Sequence, residues 1–382
     1  MALAEIRQRM AGFRPLGGDA ALSSALPGFL YSDPAVFEAE KQAIFYSSWQ
    51  LIAHQSELPE PGDFVCASIV DEPVFIIRQR DGGVAGFYNV CQHRAHQVLS
   101  GTGNVRARIV CPYHAWAYNL DGELAVARNT KRLPEFDRSN YGLEPVRVAQ
   151  DCGFIFVNLD ADAPSLDQVA GDMFADMRRS LPWIDELTVA PGAAHNAWDG
   201  DPLAANWKVL AENCLECYHC GPAHRAFSDL VDLKTYLCVP HGSWLKSAGK
   251  LGHVDNKAYK LSDDEPVSEA MFWHMWPNIE FGTLPGERSL GAFRFYPETA
   301  ETTRMSGRLL TMPGETVAPE RLDYRWNVLW PEDEALCRSV HIGLKSRGYR
   351  QGRFVVDPDH PGIAEHAVHY FQTLYARAMG ID

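Results

Sequence analysis

The stretch N-V-C-Q-H-R-A-H-Q, residues 89–97, is followed by C-P-Y-H-A-W, residues 111–116, with 17 residues between His93 and Cys111. Cys91-x-His93 and Cys111-x2-His114 place two thiols and two imidazoles in two short paired segments. Such a set can hold one tetrahedral zinc ion, or a 2Fe-2S cluster with two thiolates on one iron and two imidazoles on the other. Each pair ends a strand-like run, GVAGFYNV for the first and RARIVCPY for the second. Two loop tips brought together by a β framework would bury the sulfurs and leave the imidazole edges near the surface, as an electron-transfer site needs.

Working outward, FVCASIV, PVFIIRQR, GVAGFYNV, RARIVCPY and GFIFVNL lie between Leu58 and Leu159 and are separated by the turn signals PEPG, DGG and NLDG. This predicts a small β domain of roughly 100 residues over 49–160. Upstream, within 1–48, Asp33-Pro34 has the form of an N-cap with proline at the first helical position. Phe37, Ile44, Phe45 and Ser48 continue one side of that helix, which is expected to pack on the β domain. Beyond Asp160, the helical stretches LDQVAGDMFADMRRSL and LAANWKVLAENCLECYH give way to strand-like pieces through Leu310, and helical periodicity returns after Pro331. Residues 161–382 are therefore expected to form an α+β domain.

A near-copy of the first pattern, Cys217-Tyr218-His219 with 18 residues after it before Cys238-Val239-Pro240-His241, ties with it on spacing. Context separates them, because Cys217 and His219 lie in a strongly helical stretch whereas a cluster needs loop tips. Cys214, Cys217 and Cys220 also mimic an iron-sulfur C-x2-C-x2-C run and read instead as small helical fillers. The helix, capped by Asp201-Pro202, carries Leu203, Trp207, Leu210, Ala211, Cys214 and Tyr218 as a buried stripe. Glu212, Glu216 and His219 fall on the opposite side with Asn213 at the flank, a pattern that a plain surface helix also gives. Gly221-Pro222 ends the helix and lets His224 swing back towards His219.

Two neutral imidazoles so placed can bind a divalent metal, and a carboxylate would complete the facial triad of non-haem Fe(II) oxygenases. The late W-P-E-D-E-A-L-C, residues 330–337, offers Glu332, Asp333 and Glu334. Helical geometry puts Asp333 with Leu336, Cys337, Val340 and Leu344 on an inward face, and Glu334 with Arg338, His341 and Lys345 outside. Acidic residues after Pro331 also simply complement a helix dipole.

C-x-H-R, the 17-residue gap and C-P-Y-H-x-W resemble the signature of Rieske 2Fe-2S domains. E-N-C-L-E-C-Y-H-C-G-P-A-H, residues 212–224, resembles the mononuclear-iron motif of Rieske non-haem iron oxygenase catalytic (alpha) subunits, in the branch of carnitine, choline, glycine betaine and proline betaine oxygenases. The resemblance implies that Cys91 and Cys111 ligate one cluster iron and His93 and His114 the other. It implies that His219, His224 and Asp333 bind a mononuclear Fe(II), with Asn213 behind them. Glu216 would carry electrons in from a neighbouring subunit's cluster. Ala95 and Ala115 stand where the family often has glycine, and Glu216 where aspartate is commoner outside this branch.

The implied fold is a Rieske-type β domain joined to a helix-grip (START-like) catalytic domain with an antiparallel sheet, in a head-to-tail homotrimer. No flavin or nicotinamide fingerprint is evident, so electrons would come from NAD(P)H through a separate flavin/iron-sulfur reductase. The implied reaction uses O2 to hydroxylate a small molecule, by N-demethylation or C–H hydroxylation of a quaternary-ammonium compound. The alternative is hydroxylation or dihydroxylation of an aromatic ring or aromatic acid.

Composition bounds the rest. A chain of 382 residues, 46% hydrophobic and 22% charged, suits one large or two ordinary globular domains. With 35 Lys+Arg against 49 Asp+Glu, the net charge of −14 repels phosphate backbones and anionic lipid, so neither nucleic acid nor membrane is an expected partner. MALAEIRQRMAGFRP lacks a continuous apolar region, and no run approaches the roughly 18 apolar residues of a membrane span, which points to a cytoplasmic protein. Nine cysteines are too sparse for a disulfide scaffold and read as metal ligands or buried hydrophobes. Phe272-Trp273-His274-Met275-Trp276 is an aromatic cluster, either core or a cation-π pocket for an N-methyl ammonium group. A pure electron carrier would not need the second half of the chain, and a zinc-bound module would be redox-silent.

Overall fold

The computed structural model describes residues 2–190, 201–262 and 264–382. Its contacts divide the chain into Phe45–Gln168 and a second unit made of the N-terminal segment with everything after residue 168. In the first unit, seven antiparallel strands run in the order Gln50–His54, Phe154–Asn158, Pro145–Asp151, Val84–Tyr88, Glu72–Arg78, Asp63–Ile69, Thr102–Asn104. Val74, Phe75, Ile76 and Ile77 are consecutive and all buried, so Glu72–Arg78 is covered on both faces. A smaller sheet of Ile109–Val110, Ala117–Tyr118 and Leu124–Val126 shares a core with it in which Phe75, Phe87, Trp116 and Tyr118 surround Cys91 and Cys111.

The second unit is α+β, as its sequence pattern leads one to expect. Its antiparallel sheet runs Thr188–Val189, Thr303–Thr311, Ser289–Pro297, Ile279–Thr283, Glu269–Met275, Trp244–Lys250, Leu237–Pro240. The helix Trp207–Cys214 packs on Ser289–Pro297, and Phe371 of the terminal helix His366–Met379 packs on the rings of Trp207, His274 and Trp276. Asp33 does cap a helix, Pro34–Glu40, by accepting from the Ala35 amide at 2.9 Å with Pro34 in the first turn. Contrary to expectation, this segment belongs to the second unit rather than to the β domain.

The reason is one buried charge. Glu40 and Lys208 are wholly buried, with Lys208 Nζ 2.5 Å from Glu40 Oε1. The indole of Trp207 donates to Glu40 Oε2 at 3.0 Å and the Tyr375 hydroxyl to Oε1 at 2.7 Å, so the carboxylate is satisfied by two further helices. A buried charge without such partners would cost several kcal/mol, on the order of 3–5 when one member of a pair is removed.

The Trp207–Cys214 helix differs from its sequence reading at both ends. Asn206, not Asp201-Pro202, is the cap, its side chain accepting from the Lys208 amide at 3.0 Å, while Leu203 pairs with Thr303 at the sheet. The helix also stops at Cys214 instead of running to His219, so Tyr218 leaves the predicted stripe and is 54% exposed. Glu212, expected on the far side from the core, accepts on Oε1 from the Tyr31 hydroxyl at 2.7 Å and the Gln372 amide at 3.0 Å.

Burial raises the Glu212 carboxyl from 4.5 to about 7 despite those two donors. The folded chain thus holds this proton more tightly than the unfolded chain. For this group stability is fully present below pH 4.5 and declines as pH rises towards 7, by up to about 1.4 kcal/mol per pH unit. Glu212→Gln keeps an Oε1 acceptor for both donors and removes the titration. The drop in Tm between pH 5 and pH 8 is therefore expected to be smaller in the variant, and an equal drop in both proteins would contradict the assignment.

Candidate active site

The two cysteine-histidine loops share one backbone conformation. The Ala95 amide donates to the Cys91 carbonyl and the Ala115 amide to the Cys111 carbonyl, both at 3.0 Å, and both alanines have left-handed φ, 55° and 56°. Alanine here adopts the conformation for which glycine carries no steric cost, a departure that the loops absorb. Cys91 and Cys111 are buried, while the rings of His93 and His114 meet near the surface with centroids 4.6 Å apart. Trp116 stacks on His93, and the Tyr118 hydroxyl lies 3.2 Å from Cys91 Sγ. His114 Nδ1 is buried without a hydrogen-bond partner, an orphan donor or acceptor that a metal would satisfy. Two soft sulfurs inside and two imidazoles outside fit a 2Fe-2S cluster of mixed ligation.

The rival pattern does not assemble. Cys217 and Cys220 are joined in a disulfide, which corrects their reading as helical fillers. Cys238 lies in a strand beside the Ser247 hydroxyl, and His241 stacks on Trp244.

A second donor set forms in the α+β unit. Cys220–Ala223 is a single short helix with His219 and His224 as its flanking residues, and Pro222 sits inside it rather than ending a longer one. This one turn folds the chain back and brings the two rings to a centroid distance of 4.9 Å. His219 Nε2 and His224 Nε2 are 3.1 Å apart, and Asp333 Oδ1 lies 2.9 Å from the latter and 3.5 Å from the former. Ligands bound at about 2.1 Å around one ion stand about 3 Å from each other, so these separations fit a metal. Among the described residues this is the one group of three or more such side chains gathered within ligating range.

The outer nitrogens are committed elsewhere. His219 Nδ1 is 2.5 Å from Glu216 Oε1, whose other oxygen accepts from the His219 amide at 3.1 Å. His224 Nδ1 is 2.8 Å from Glu332 Oε2. Nδ1–H donation to a carboxylate fixes the tautomer that aims each Nε2 lone pair inward. Asn213 Nδ2 donates to Asp333 Oδ1 at 2.9 Å and approaches His219 Nε2 at 3.2 Å, while Cys337 Sγ donates to Asn213 Oδ1 at 3.0 Å. Burial alone would lower His219, yet Asp333 and Glu216 outweigh it and push the imidazole up to about 9; His224 is raised by the same balance. Burial would raise Asp333, but the two imidazoles hold it below its usual value. A field that favours a protonated imidazole also favours a bound cation.

The helix Trp330–Leu344 delivers Asp333 inward as expected, with Cys337 buried a turn later. The prediction inverts two of its other positions, for Val340 is 50% exposed and His341 is buried against the Asn206 amide. Glu332 was weighed in the sequence only as a rival ligand, and no local pattern distinguishes its role as the partner of His224. Of the aromatic run, Phe272 lines the site; Trp273 is core, its indole donating to Asp176 at 2.8 Å, and His274 pairs with Glu280 at 3.1 Å.

The three donors open on a cavity of about 160 Å³, walled by Phe272, Phe293, Phe295, Tyr236 and Trp330 and also lined by Glu280 and Arg325. Neither charged residue is marked by local sequence pattern. Gly282 and Gly291 face each other across the floor, and a Cβ on either would fall 2.6 Å or 2.3 Å from the ring of Phe272 or Phe293. Glycine there makes room for the rings and the cavity between them. Burial raises the Glu280 carboxyl above its usual range, with His274 opposing.

Residues 48–137 match the Rieske [2Fe-2S] domain family and residues 184–381 the ring hydroxylating alpha subunit (catalytic domain) family. The carnitine monooxygenase oxygenase subunit of Acinetobacter pittii is 38% identical over 92% of this chain and 94% of its own length. The glycine betaine monooxygenase oxygenase subunit of Chromohalobacter salexigens is 28% identical over 86% of this chain and 81% of its own. Among solved structures, the quaternary ammonium Rieske monooxygenase CntA, in complex with an inhibitor, superposes with a TM-score of 0.88 at 35% identity, covering 96% of this chain and 99% of that one. With both donor sets in place and relatives aligned over nearly its whole length, the chain belongs to the Rieske non-haem iron monooxygenases, as a catalytic (alpha) oxygenase subunit.

Proposed function

We propose that this oxygenase hydroxylates a carbon next to the nitrogen of a small quaternary-ammonium compound. The cavity carries this reading: aromatic faces and the Glu280 carboxylate line a space of about 160 Å³ beside the donors of the second set. Aromatic rings attract a cation that cannot donate a hydrogen bond, and a carboxylate adds charge complementarity. Relatives at 38% identity are named for carnitine, and CntA has been crystallised with L-carnitine and with gamma-butyrobetaine as substrates.

In this reading Cys91 and Cys111 with His93 and His114 hold the Rieske cluster, and His219, His224 and Asp333 hold Fe(II). Iron so held supplies reductive activation of O2, and the cluster supplies electrons singly at a potential raised by its imidazoles. The protein's own part is to orient. Glu216 and Glu332 lock the ring orientations, Asn213 steadies Asp333 and the aromatic walls line the space beside the donors. Each turnover takes C–H, O2, two electrons and two protons to C–OH and water. The new hydroxyl beside a cationic nitrogen then loses its proton as the C–N bond breaks, leaving a carbonyl compound and an amine; hydroxylation of an N-methyl group releases formaldehyde. Electrons would come from NAD(P)H through a separate flavin/iron-sulfur reductase in the cytoplasm, and in a head-to-tail homotrimer Glu216, already hydrogen-bonded to His219, would be the residue that links this site to the neighbouring subunit's cluster.

Supplied with a reductase, NADH and gamma-butyrobetaine, the protein is expected to release an amine with a matching aldehyde, formaldehyde included. Ring-hydroxylated products from aromatic acids, with no cleavage of the ammonium compound, would reverse this assignment. Asp333→Ala should lower iron from about three to about two per chain while acid-labile sulfide stays at about two; unchanged iron would remove Asp333 from the ligand set. Glu216→Gln should retain both iron and sulfide and lose turnover by about 100-fold, so full activity in that variant would exclude the bridging role.

A further inference from the structure

Of the charged side chains lining the cavity, Arg325 alone has no counter-charge. It lies in a π-helical turn, Tyr324–Leu329, that runs directly into the helix bearing Asp333. Such turns carry an extra residue per turn, re-aim side chains and recur at functional sites. Asp333 lies eight positions further along the chain, about two helical turns on, and both residues line the cavity.

Its guanidinium sits over Gly291, where a Cβ would come within 3.1 Å of Nη1. Among the described residues no carboxylate lies within ion-pair distance of it. Its neighbours are the Trp326 ring, 5.9 Å away, and the phenols of Tyr259 and Tyr324. Arg321, one turn earlier, is by contrast taken by both Glu265 and Glu287. An arginine stays charged and offers five N–H donors in a planar fork, so an apolar cavity that holds one unpaired is built for an anion, best a carboxylate bound through two parallel bonds.

The sheet register places the opposite charge. Gly291 pairs with Gly282, and Glu280 lies two residues along the same strand, roughly 7 Å away on the same face. The same cavity is therefore lined by an acidic side chain, Glu280, and by the guanidinium of Arg325 over a neighbouring position of the sheet.

We propose that Arg325 binds the carboxylate end of the substrate, so that the site selects zwitterions in which a quaternary ammonium and a carboxylate are joined by a short chain. This rests on the quaternary-ammonium reading above and adds the specificity-determining residue for the other end. The ammonium lies among the aromatic walls near Glu280 and the carboxylate on Arg325, which holds the carbon beside nitrogen towards the triad of donors.

Binding measured by calorimetry on the anaerobic iron-loaded protein separates the two claims. Three probes serve: gamma-butyrobetaine, its carboxamide, and the acid in which a tert-butyl group replaces the trimethylammonium head. The expected result is that the acid binds about 100-fold more tightly than its carboxamide. In Arg325→Gln this ratio falls close to one, and in Arg325→Lys, which keeps charge without the planar fork, it is intermediate. A ratio near one in the wild type, or an unchanged ratio in Arg325→Gln, would overturn the role of Arg325. If instead the tert-butyl acid binds as well as gamma-butyrobetaine, the ammonium reading and with it the zwitterion fall, while an Arg325-dependent preference for acid over amide still assigns the carboxylate to Arg325. Arg325→Lys keeps the test open should Arg325→Gln fail to fold, with iron content and Tm reporting integrity.

Discussion

The catalytic unit is organised around a charge that has no access to water. Lys208 can remain ionised in the interior only because Glu40 meets it at 2.5 Å and Trp207 and Tyr375 satisfy the same carboxylate. Burial pulls the Lys208 ammonium below its usual value, and Glu40 opposes that shift only in part. Hydrogen bonds of this kind are directional, so the helices Pro34–Glu40, Trp207–Cys214 and His366–Met379 have little freedom to slide against one another. The donor-bearing segment leaves the second of these helices one residue past Cys214. Placement of Asn213, Glu216 and His219 therefore inherits the rigidity of a buried ion pair at the other end of the helix.

From that anchor the site is built by committing atoms in pairs. Each imidazole spends Nδ1 on a carboxylate, Glu216 for His219 and Glu332 for His224, and so presents Nε2 to the shared centre. Asp333 would be disfavoured as an anion by burial, and the two imidazoles restore it. The β unit uses the same economy with backbone instead of side chains, for two loops with matching left-handed alanines bury the sulfurs and lift the imidazoles to the surface.

The cavity shows how little of a binding site resides in contiguous sequence. Phe272, Glu280 and Phe293 come from three adjacent strands, Gly282 and Gly291 leave the space between them, and Arg325 arrives from a helical turn over that floor. None of these residues stands in a motif. Of the five-residue aromatic run that drew attention in the sequence, alternation along the strand directs Phe272 to the cavity and buries Trp273 on the other side.

What the sequence determined was chemistry and order. Donor types and their spacings are local properties, so Cys91, His93, Cys111, His114, His219 and His224 stand out as candidates in the sequence, and the periodicity of its own helix puts Asp333 on the face that meets the two imidazoles. Where the reading failed, a long-range contact overruled a local rule. The stripe ended early because the chain turns after Cys214, Cys217 and Cys220 became bonded in that turn, and the N-terminal helix joined the second unit because Glu40 must meet Lys208. Glu332 as the partner of His224, Glu212 as the acid held by Tyr31 and Gln372, and the unpaired Arg325 were decided only by the tertiary structure. Burial and the availability of a partner depend on residues distant in the chain, and no periodicity of 2 or 3.6 encodes them.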